Sequence, residues 1–201
     1  MICIVDYGVG NLFSLICSFS KLGEKIVVSG DKKVIESADK IILPGVGAFP
    51  DAIKKLKENG LDRVLINQAK LGKPLLGICL GMQMLFEKSY EFEESLGLGL
   101  IKGEIKPIKP LIGQLKVPHI GWNSLQFRKE SKLFKYISEG DRVYFVHSYS
   151  AQNTGDEITA TSNYGSDLVA SCEKGNVYGV QFHPEKSGDV GLNILKAFCE
   201  I

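Results

Sequence analysis

The sequence predicts an α/β fold: a mixed, mostly parallel central sheet with helices on both faces and an extra β-rich portion in the second half. Three observations predict it. Residues 1–43 alternate short apolar runs with amphipathic ones in the order β-α-β-α-β, the pattern of a parallel sheet covered on both faces. Ile2-Cys3-Ile4-Val5 and Ile41-Ile42-Leu43 are apolar throughout, as strands buried on both faces are. From residue 100 onward helical spacing gives way to β-prone stretches joined by turn residues.

Each element has a local reason. The first strand, Ile2 to Val5, leads into a loop, Asp6 to Asn11. Asn11 stands where a helix cap belongs. Leu12, Leu15, Ile16, Phe19 and Leu22 then recur on one helical face, and Gly23 closes the helix. Lys25 to Val28 reads as a second strand, 31–38 as a short polar helix and 41–43 as a third strand. Helices are expected at 50–58 and at 61–71, the latter with Leu61, Val64, Leu65 and Ala69 on one side. Lys73-Pro74 ends that helix and starts a fourth strand, which runs to Ile78. An amphipathic run, Met82 to Glu87, follows. Residues 88–99 are polar and glycine-rich and read as a loop. Strands are expected around Ile101 to Ile108, 115–123, 143–149, 158–161, 168–172 and 177–182, with turns at Asn153-Thr154-Gly155-Asp156 and Asn163-Tyr164-Gly165. Leu192, Ile194, Leu195, Ala197 and Phe198 mark a last helix over 188–199.

Composition bounds the function. A chain of 201 residues without linker, repeat or low-complexity segment reads as one domain over 1–201. Hydrophobic content of 44% and charged content of 23% are those of a globular protein. A net charge of +1 gives no field that draws nucleic acid or a membrane surface. No apolar run nears the length of a membrane span, and no charged-then-apolar leader is seen. The five cysteines, Cys3, Cys17, Cys79, Cys172 and Cys199, are odd in number and scattered. That argues against a disulfide framework or a zinc site and for a reducing compartment, the cytoplasm. The acidic cluster at 91–94 has no histidine nearby and reads as a solvated face, so neither metal nor cofactor is expected.

The chemistry centres on Cys79. An apolar strand ends there, Gly77 and Gly81 flank it, and a helix follows. This Gly-x-nucleophile-x-Gly arrangement is that of an elbow, in which glycines permit a cramped backbone and the nucleophile projects above the sheet. A thiol at a helix N-terminus meets the positive end of the dipole, which favours the thiolate. Leu80, the residue after the nucleophile, supplies one backbone donor for an oxyanion. The loop Pro44-Gly45-Val46-Gly47-Ala48, also following a strand, reads either as a plain turn before the next helix or as the source of the second donor. Only His119, His147 and His183 are available as a histidine base. His183 follows a strand in His183-Pro184-Glu185. In an extended segment residues two apart share a side, so Glu185 can orient the imidazole, completing nucleophile, base and orienter. His147 is a second base candidate or part of a substrate-binding segment. His119, in an apolar stretch, reads as a hydrogen-bonded structural histidine.

Gly77-Ile78-Cys79-Leu80-Gly81-Met82-Gln83 together with Gln181-Phe182-His183-Pro184-Glu185 resembles the class I, triad-type glutamine amidotransferases. More narrowly, the chain resembles the HisH family, the glutaminase subunits of imidazole glycerol phosphate synthase. The narrower likeness is carried by Asp6-Tyr7-Gly8-Val9-Gly10-Asn11-Leu12, Leu43 to Phe49, Val117-Pro118-His119-Ile120-Gly121-Trp122-Asn123, Tyr144-Phe145-Val146-His147-Ser148-Tyr149 and His183-Pro184-Glu185-Lys186-Ser187-Gly188. The resemblance implies a flavodoxin-like three-layer fold and hydrolysis of L-glutamine to glutamate and ammonia. Cys79 would attack the side-chain amide, His183 would move the proton, and Glu185 would orient His183. Val46, Gly47 and Leu80 would form the oxyanion hole. Gly45, Gln83, Glu91, His147, Ser148 and Tyr149 match substrate contacts.

The resemblance further implies a heterodimer in which ammonia passes to a TIM-barrel cyclase subunit. That subunit makes imidazole glycerol phosphate, at the branch between histidine and purine synthesis. Asn11, Trp122, Tyr144 and Lys186 fall at motif positions of the partner face. The chain departs from the family at Phe13, where arginine is usual. Two other readings stay open at this level. One is a related glutaminase feeding a different synthase, such as one that amidates or amidinates surface sugars. The other is a cysteine-elbow binding module or peptidase that is no amidotransferase.

Overall fold

The structure, a computed structural model, describes residues 1–201. The first half builds β1 (Ile2–Val5), α1 (Leu12–Lys21), β2 (Ile26–Ser29), α2 (Lys32–Ser37), β3 (Lys40–Leu43), α3 (Phe49–Glu58), α4 (Leu61–Lys70), β4 (Leu75–Ile78) and α5 (Leu80–Met84). The second half adds β5 (Lys88–Ser89), β6 (Ser95–Leu96), β7 (Glu104–Pro107), β8 (His119–Ser124), β9 (Gln126–Phe127), β10 (Arg142–His147), β11 (Tyr149–Gln152), β12 (Ile158–Asn163), β13 (Asp167–Lys174) and β14 (Val177–Val180). A 3-10 turn at Pro184–Lys186 and the helix α6 (Gly188–Cys199) complete it.

Eight strands form the central sheet in the order β2-β1-β3-β4-β14-β13-β12-β9. The first five are mutually parallel; β13, β12 and β9 continue the sheet antiparallel. This is the expected mostly parallel sheet, with the 2-1-3-4-5 order of flavodoxin-like folds in its parallel part. Alternation along the strands divides the core. Cys3, Val5, Ile41 and Leu43 pack with α2, α3 and α4 on one face. Ile2, Ile4, Ile42, Leu76 and Ile78 pack with Leu15 and Phe19 of α1 and Ile194, Leu195 and Phe198 of α6 on the other. Strands β11, β7, β5 and β6 form a four-stranded sheet, and β8 with β10 an antiparallel pair. No helix is long and apolar enough to cross a membrane.

Three local expectations change. Asn11 does precede α1, but its side chain donates to Ser14 Oγ at 2.8 Å and caps no backbone N–H. The helix expected over 82–87 is α5, shifted to Leu80–Met84. Its continuation is broken because the returning chain claims its backbone: Leu85 O accepts from Leu100 and Ile101, Phe86 O accepts from Gly99, and Glu87 N–H donates to Gly103 O. For the same reason residues 88–99 are not all loop. They contain β5 and β6, which pair with each other, and β5 pairs in parallel with β7.

Candidate active site

Strands β3, β4 and β14 are neighbours in the sheet and run parallel, so their C-terminal ends open on one side. Those ends deliver Pro44–Ala48, Cys79 and His183 respectively. Residues more than a hundred positions apart thus meet where parallel α/β sheets bind their ligands.

At the elbow, Cys79 takes φ 55° and ψ −111°, a strained conformation for a residue with a side chain. The two glycines explain how the turn is held. A Cβ on Gly77 would lie 2.7 Å from the Gly81 carbonyl oxygen, and a Cβ on Gly81 would fall on the Leu43 carbonyl oxygen. The elbow therefore sits directly against the end of β3. Tyr7 steadies that end, its buried hydroxyl donating to Pro44 O at 2.7 Å. Gly45 is buried beside Gly81 and Leu80, and does not reach the cavity that lies above them. Its placement here is one of close packing. Val46 and Gly47 are exposed, and their N–H groups donate to nothing within the protein. Leu80 opens α5, where an N–H has no intrahelical acceptor. All three border the cavity.

His183 is fixed from both sides. Its N–H donates to Tyr144 O at 2.9 Å. Ser187 Oγ donates to His183 O at 2.7 Å and accepts from Tyr144 N–H at 2.9 Å. The imidazole Nδ1 lies 2.7 Å from Glu185 Oε1, and the Glu185 side chain is 2% exposed. A carboxylate only accepts, so Nδ1 carries the proton and Nε2 is left for the thiol. The route to this contact differs from expectation. His183 is extended, but Pro184–Lys186 is a 3-10 turn, which folds Glu185 back under the ring. Burial opposes a charged His183; hydrogen bonds to the Cys79 sulfur and Glu185 outweigh it and raise the imidazole to about 10. The raised imidazole can hold a proton beside the sulfur and hand it on.

The cavity in front of Cys79 holds about 300 Å³, enough for a small amino acid but not for a large ligand. Val46, Gly47, Cys79, Leu80, Gln83, Glu91, Pro118, Val146, His147, Ser148, Tyr149 and His183 line it. Glu185 stands behind His183. Glu91 brings a negative charge to the wall; burial raises its carboxyl, and the hydrogen bond from Phe49 N–H at 2.8 Å partly offsets this. Gln83 faces the cavity with its amide already engaged, Nε2 donating to Tyr149 O at 3.2 Å and to Gln181 Oε1 at 3.0 Å. What it leaves for a ligand is its oxygen. Gln181 had no assigned role from sequence, yet its Nε2 lies 3.7 Å from Cys79 Sγ. The signal that could have found it is its place two residues before His183 on one extended run.

His147 and His119 form a buried relay. His147 Nδ1 lies 2.8 Å from Tyr149 O and its Nε2 3.0 Å from His119 Nδ1, while Asn123 Nδ2 approaches His119 Nε2 at 3.3 Å. The carbonyl can only accept, so His147 carries its proton on Nδ1, His119 donates to His147, and Asn123 donates to His119. Neither ring has room for a second proton, and burial lowers both to about 4. Between pH 6.5 and 4 the unfolded chain therefore binds more protons than the folded one, and stability falls as pH falls. His183 adds no slope there, because a raised group stabilises fully below 6.5 and loses that contribution only as pH rises through its folded value. Urea unfolding is expected to show stability falling between pH 7 and 4, by on the order of 2–3 kcal/mol for the hydrogen-bonded pair together. His119→Phe should flatten that slope.

Beside the cavity, Trp122 is 62% exposed and meets the Tyr144 ring edge-on at 4.9 Å. Lys186 Nζ lies over the same ring at 5.6 Å. Trp122 thus has no core-packing role. Asn11 and Phe13 belong to the start of α1, which packs against the 3-10 turn; Phe13 is 76% exposed.

The family described as glutamine amidotransferase class-I matches residues 3–200. The chain is similar to the imidazole glycerol phosphate synthase subunit HisH of Lactococcus lactis subsp. lactis, 52% identical over 99% of this chain and 98% of that one. It is 48% identical to the protein of that name from Wolinella succinogenes, over the full length of both. Among solved structures it is similar to a glutamine amidotransferase at TM-score 0.77 and 19% identity, covering 99% of this chain and 100% of the other. A chain of PurLQS from Thermotoga maritima superposes at TM-score 0.74 and 20% identity, covering 99% and 97%. These two likenesses speak to fold alone.

Proposed function

The chain belongs to the class-I glutamine amidotransferase family, and on that premise we propose that it is the glutaminase subunit of an imidazole glycerol phosphate synthase. The observation that carries the reading is the meeting of Cys79 and His183, with Glu185 behind the imidazole, at one small cavity bordered by a loop whose N–H groups have no partner within the protein.

The chemistry follows from that geometry. Cys79 thiolate attacks the side-chain amide carbon of L-glutamine, and the oxygen takes up the negative charge. Leu80 N–H and the free N–H groups of Val46 and Gly47 are the donors at hand. Protonated His183 gives its proton to the leaving nitrogen, which departs as ammonia and leaves a glutamyl thioester on Cys79. Neutral His183 then takes a proton from water, whose oxygen attacks the thioester. Collapse releases glutamate and restores thiolate and imidazolium. Glu185 stabilises the charged imidazole throughout. Glu91 matches the substrate's ammonium in charge, and Gln83, through its free oxygen, with His147, Ser148 and Tyr149 forms the remaining wall.

Ammonia is the product that matters to the partner, a TIM-barrel cyclase subunit. The face we assign to it carries Asn11, Trp122, Tyr144 and Lys186, to which the structure supports adding the exposed Phe13. Tyr144 is hydrogen-bonded through its backbone to both His183 and Ser187, so pressure on this face reaches the base directly. Five free cysteines fit a cytoplasmic enzyme.

The test is glutamate release by the purified chain, alone and with a cyclase subunit of the histidine pathway plus its nucleotide ligand. Activity is expected to be low alone and to rise at least about a hundredfold in the liganded complex. Stimulation by a sugar-modifying synthase instead would move the chain to a different pathway. Absence of glutamine hydrolysis in every complex would sink the assignment.

A further inference from the structure

The amide of Gln181 is fully buried, and its two ends meet different groups. Its oxygen accepts from Gln83 Nε2 at 3.0 Å, and its nitrogen lies 3.7 Å from Cys79 Sγ. Which end faces the sulfur is not a free choice. Tyr149 O is a carbonyl and only accepts, so the Gln83 group 3.2 Å from it is the NH2. That NH2 also faces Gln181, which must therefore present its oxygen to Gln83. Its own NH2 is left pointing at sulfur. Polarity is thus handed from one backbone carbonyl through two side-chain amides to the nucleophile.

We propose that Gln181 is a polarising and positioning donor for the Cys79 sulfur, held in that role by the relay from Tyr149 O through Gln83. An N–H aimed at sulfur is favourable to a thiolate and of little value to a thiol, so the contact selects the reactive form. It also holds the side chain on the strained elbow in one orientation, facing His183. The Tyr149 carbonyl has a second duty, since it fixes the tautomer of His147 as well. One acceptor on β11 therefore orders both polar walls of the cavity. This inference rests on Cys79 being the nucleophile.

The experiment follows alkylation of Cys79 by iodoacetamide against pH, without glutamine or partner, reading the Cys79 peptide by mass spectrometry. This keeps the buried or half-buried cysteines 3, 17, 172 and 199 out of the signal. Three variants are compared with the unmodified chain. Gln181→Glu keeps the shape and the acceptor for Gln83 but turns a carboxylate oxygen toward sulfur. Gln181→Met removes both polar ends. Gln83→Met leaves Gln181 in place but removes the donor that orients it.

The pH of half-maximal alkylation is expected to rise by about one unit in Gln181→Met and further in Gln181→Glu, with Gln83→Met moving it the same way by less. At pH values below the half-maximal point of the unmodified chain, the alkylation rate of Gln181→Met should fall about tenfold. In glutamine hydrolysis by the cyclase complex, kcat should fall for Gln181→Met while KM holds. An unchanged alkylation profile in Gln181→Glu or, should that chain not fold, in Gln83→Met would overturn the role of Gln181 alone. An unmodified chain that alkylates no faster than a free thiol would overturn the nucleophile assignment, and this inference with it.

Discussion

Cys79→Ala is expected to lower glutamine hydrolysis by the partner-bound enzyme at least about 10⁴-fold, the scale on which loss of a triad nucleophile acts. The alanine should leave the fold intact, because it keeps the Cβ and removes a single sulfur atom that borders the cavity. What is lost is the only sulfur in the cavity. The remaining groups can bind glutamine and polarise its carbonyl, yet cannot form the thioester. His183→Ala should fall to a similar level, since the thiol is then left without the group that activates it and protonates the leaving nitrogen. The double variant should be no worse than either single one, because the residues act as one unit. Glutamate release measured in the cyclase complex decides this. Retention of more than a few per cent of the activity in Cys79→Ala would place the nucleophile elsewhere.

The second large effect concerns stability. Gly81→Ala should destabilise the chain by about 3 kcal/mol or more, read as a lower urea midpoint. The added Cβ would fall on the Leu43 carbonyl oxygen, which belongs to the backbone of β3 and cannot swing aside as a side chain would. Relief requires α5 to lift away from β3, and Cys79 moves with it. Activity should therefore fall further than the lost stability explains. Gly47→Ala is the contrasting case. Its Cβ meets nothing within 4 Å, but φ is +95°. It should cost about 1–2 kcal/mol through backbone strain alone, while altering the loop that borders the cavity. If Gly81→Ala were as stable as the parent, the tight seat of the elbow on β3 would be wrong.

Much of this was legible beforehand, and the reason is locality. The alternating pattern of residues 1–43 reports strands and helices because burial on a sheet repeats every residue or two and burial on a helix every three or four. The elbow was legible because close backbone approach demands glycine on both sides of one residue. The limits have the same origin. The amphipathic run 82–87 is a sound local signal for helix, and it loses to Leu98–Gly103, a later segment whose N–H groups take the carbonyls of Met84, Leu85 and Phe86 and whose Gly103 carbonyl takes the N–H of Glu87. Residues 88–99 read as loop because two-residue strands are too short to show alternation. Gly45 looked like part of a ligand loop and packs beneath it instead.

By itself the sequence determined the residue types of the chemistry: a cysteine on a glycine-flanked turn, a histidine with a glutamate two residues on, and the mostly parallel sheet that carries them. Only the tertiary structure decided that β3, β4 and β14 lie side by side, and so that loop, nucleophile and base share one cavity. It alone turned Gln181 toward the sulfur and set the direction of its amide. Strand neighbours are chosen by pairing across about a hundred residues of chain, which leaves no periodic trace in either partner. The polarity of a buried amide is set by whichever acceptor it finds there, here a backbone carbonyl that every residue type carries alike.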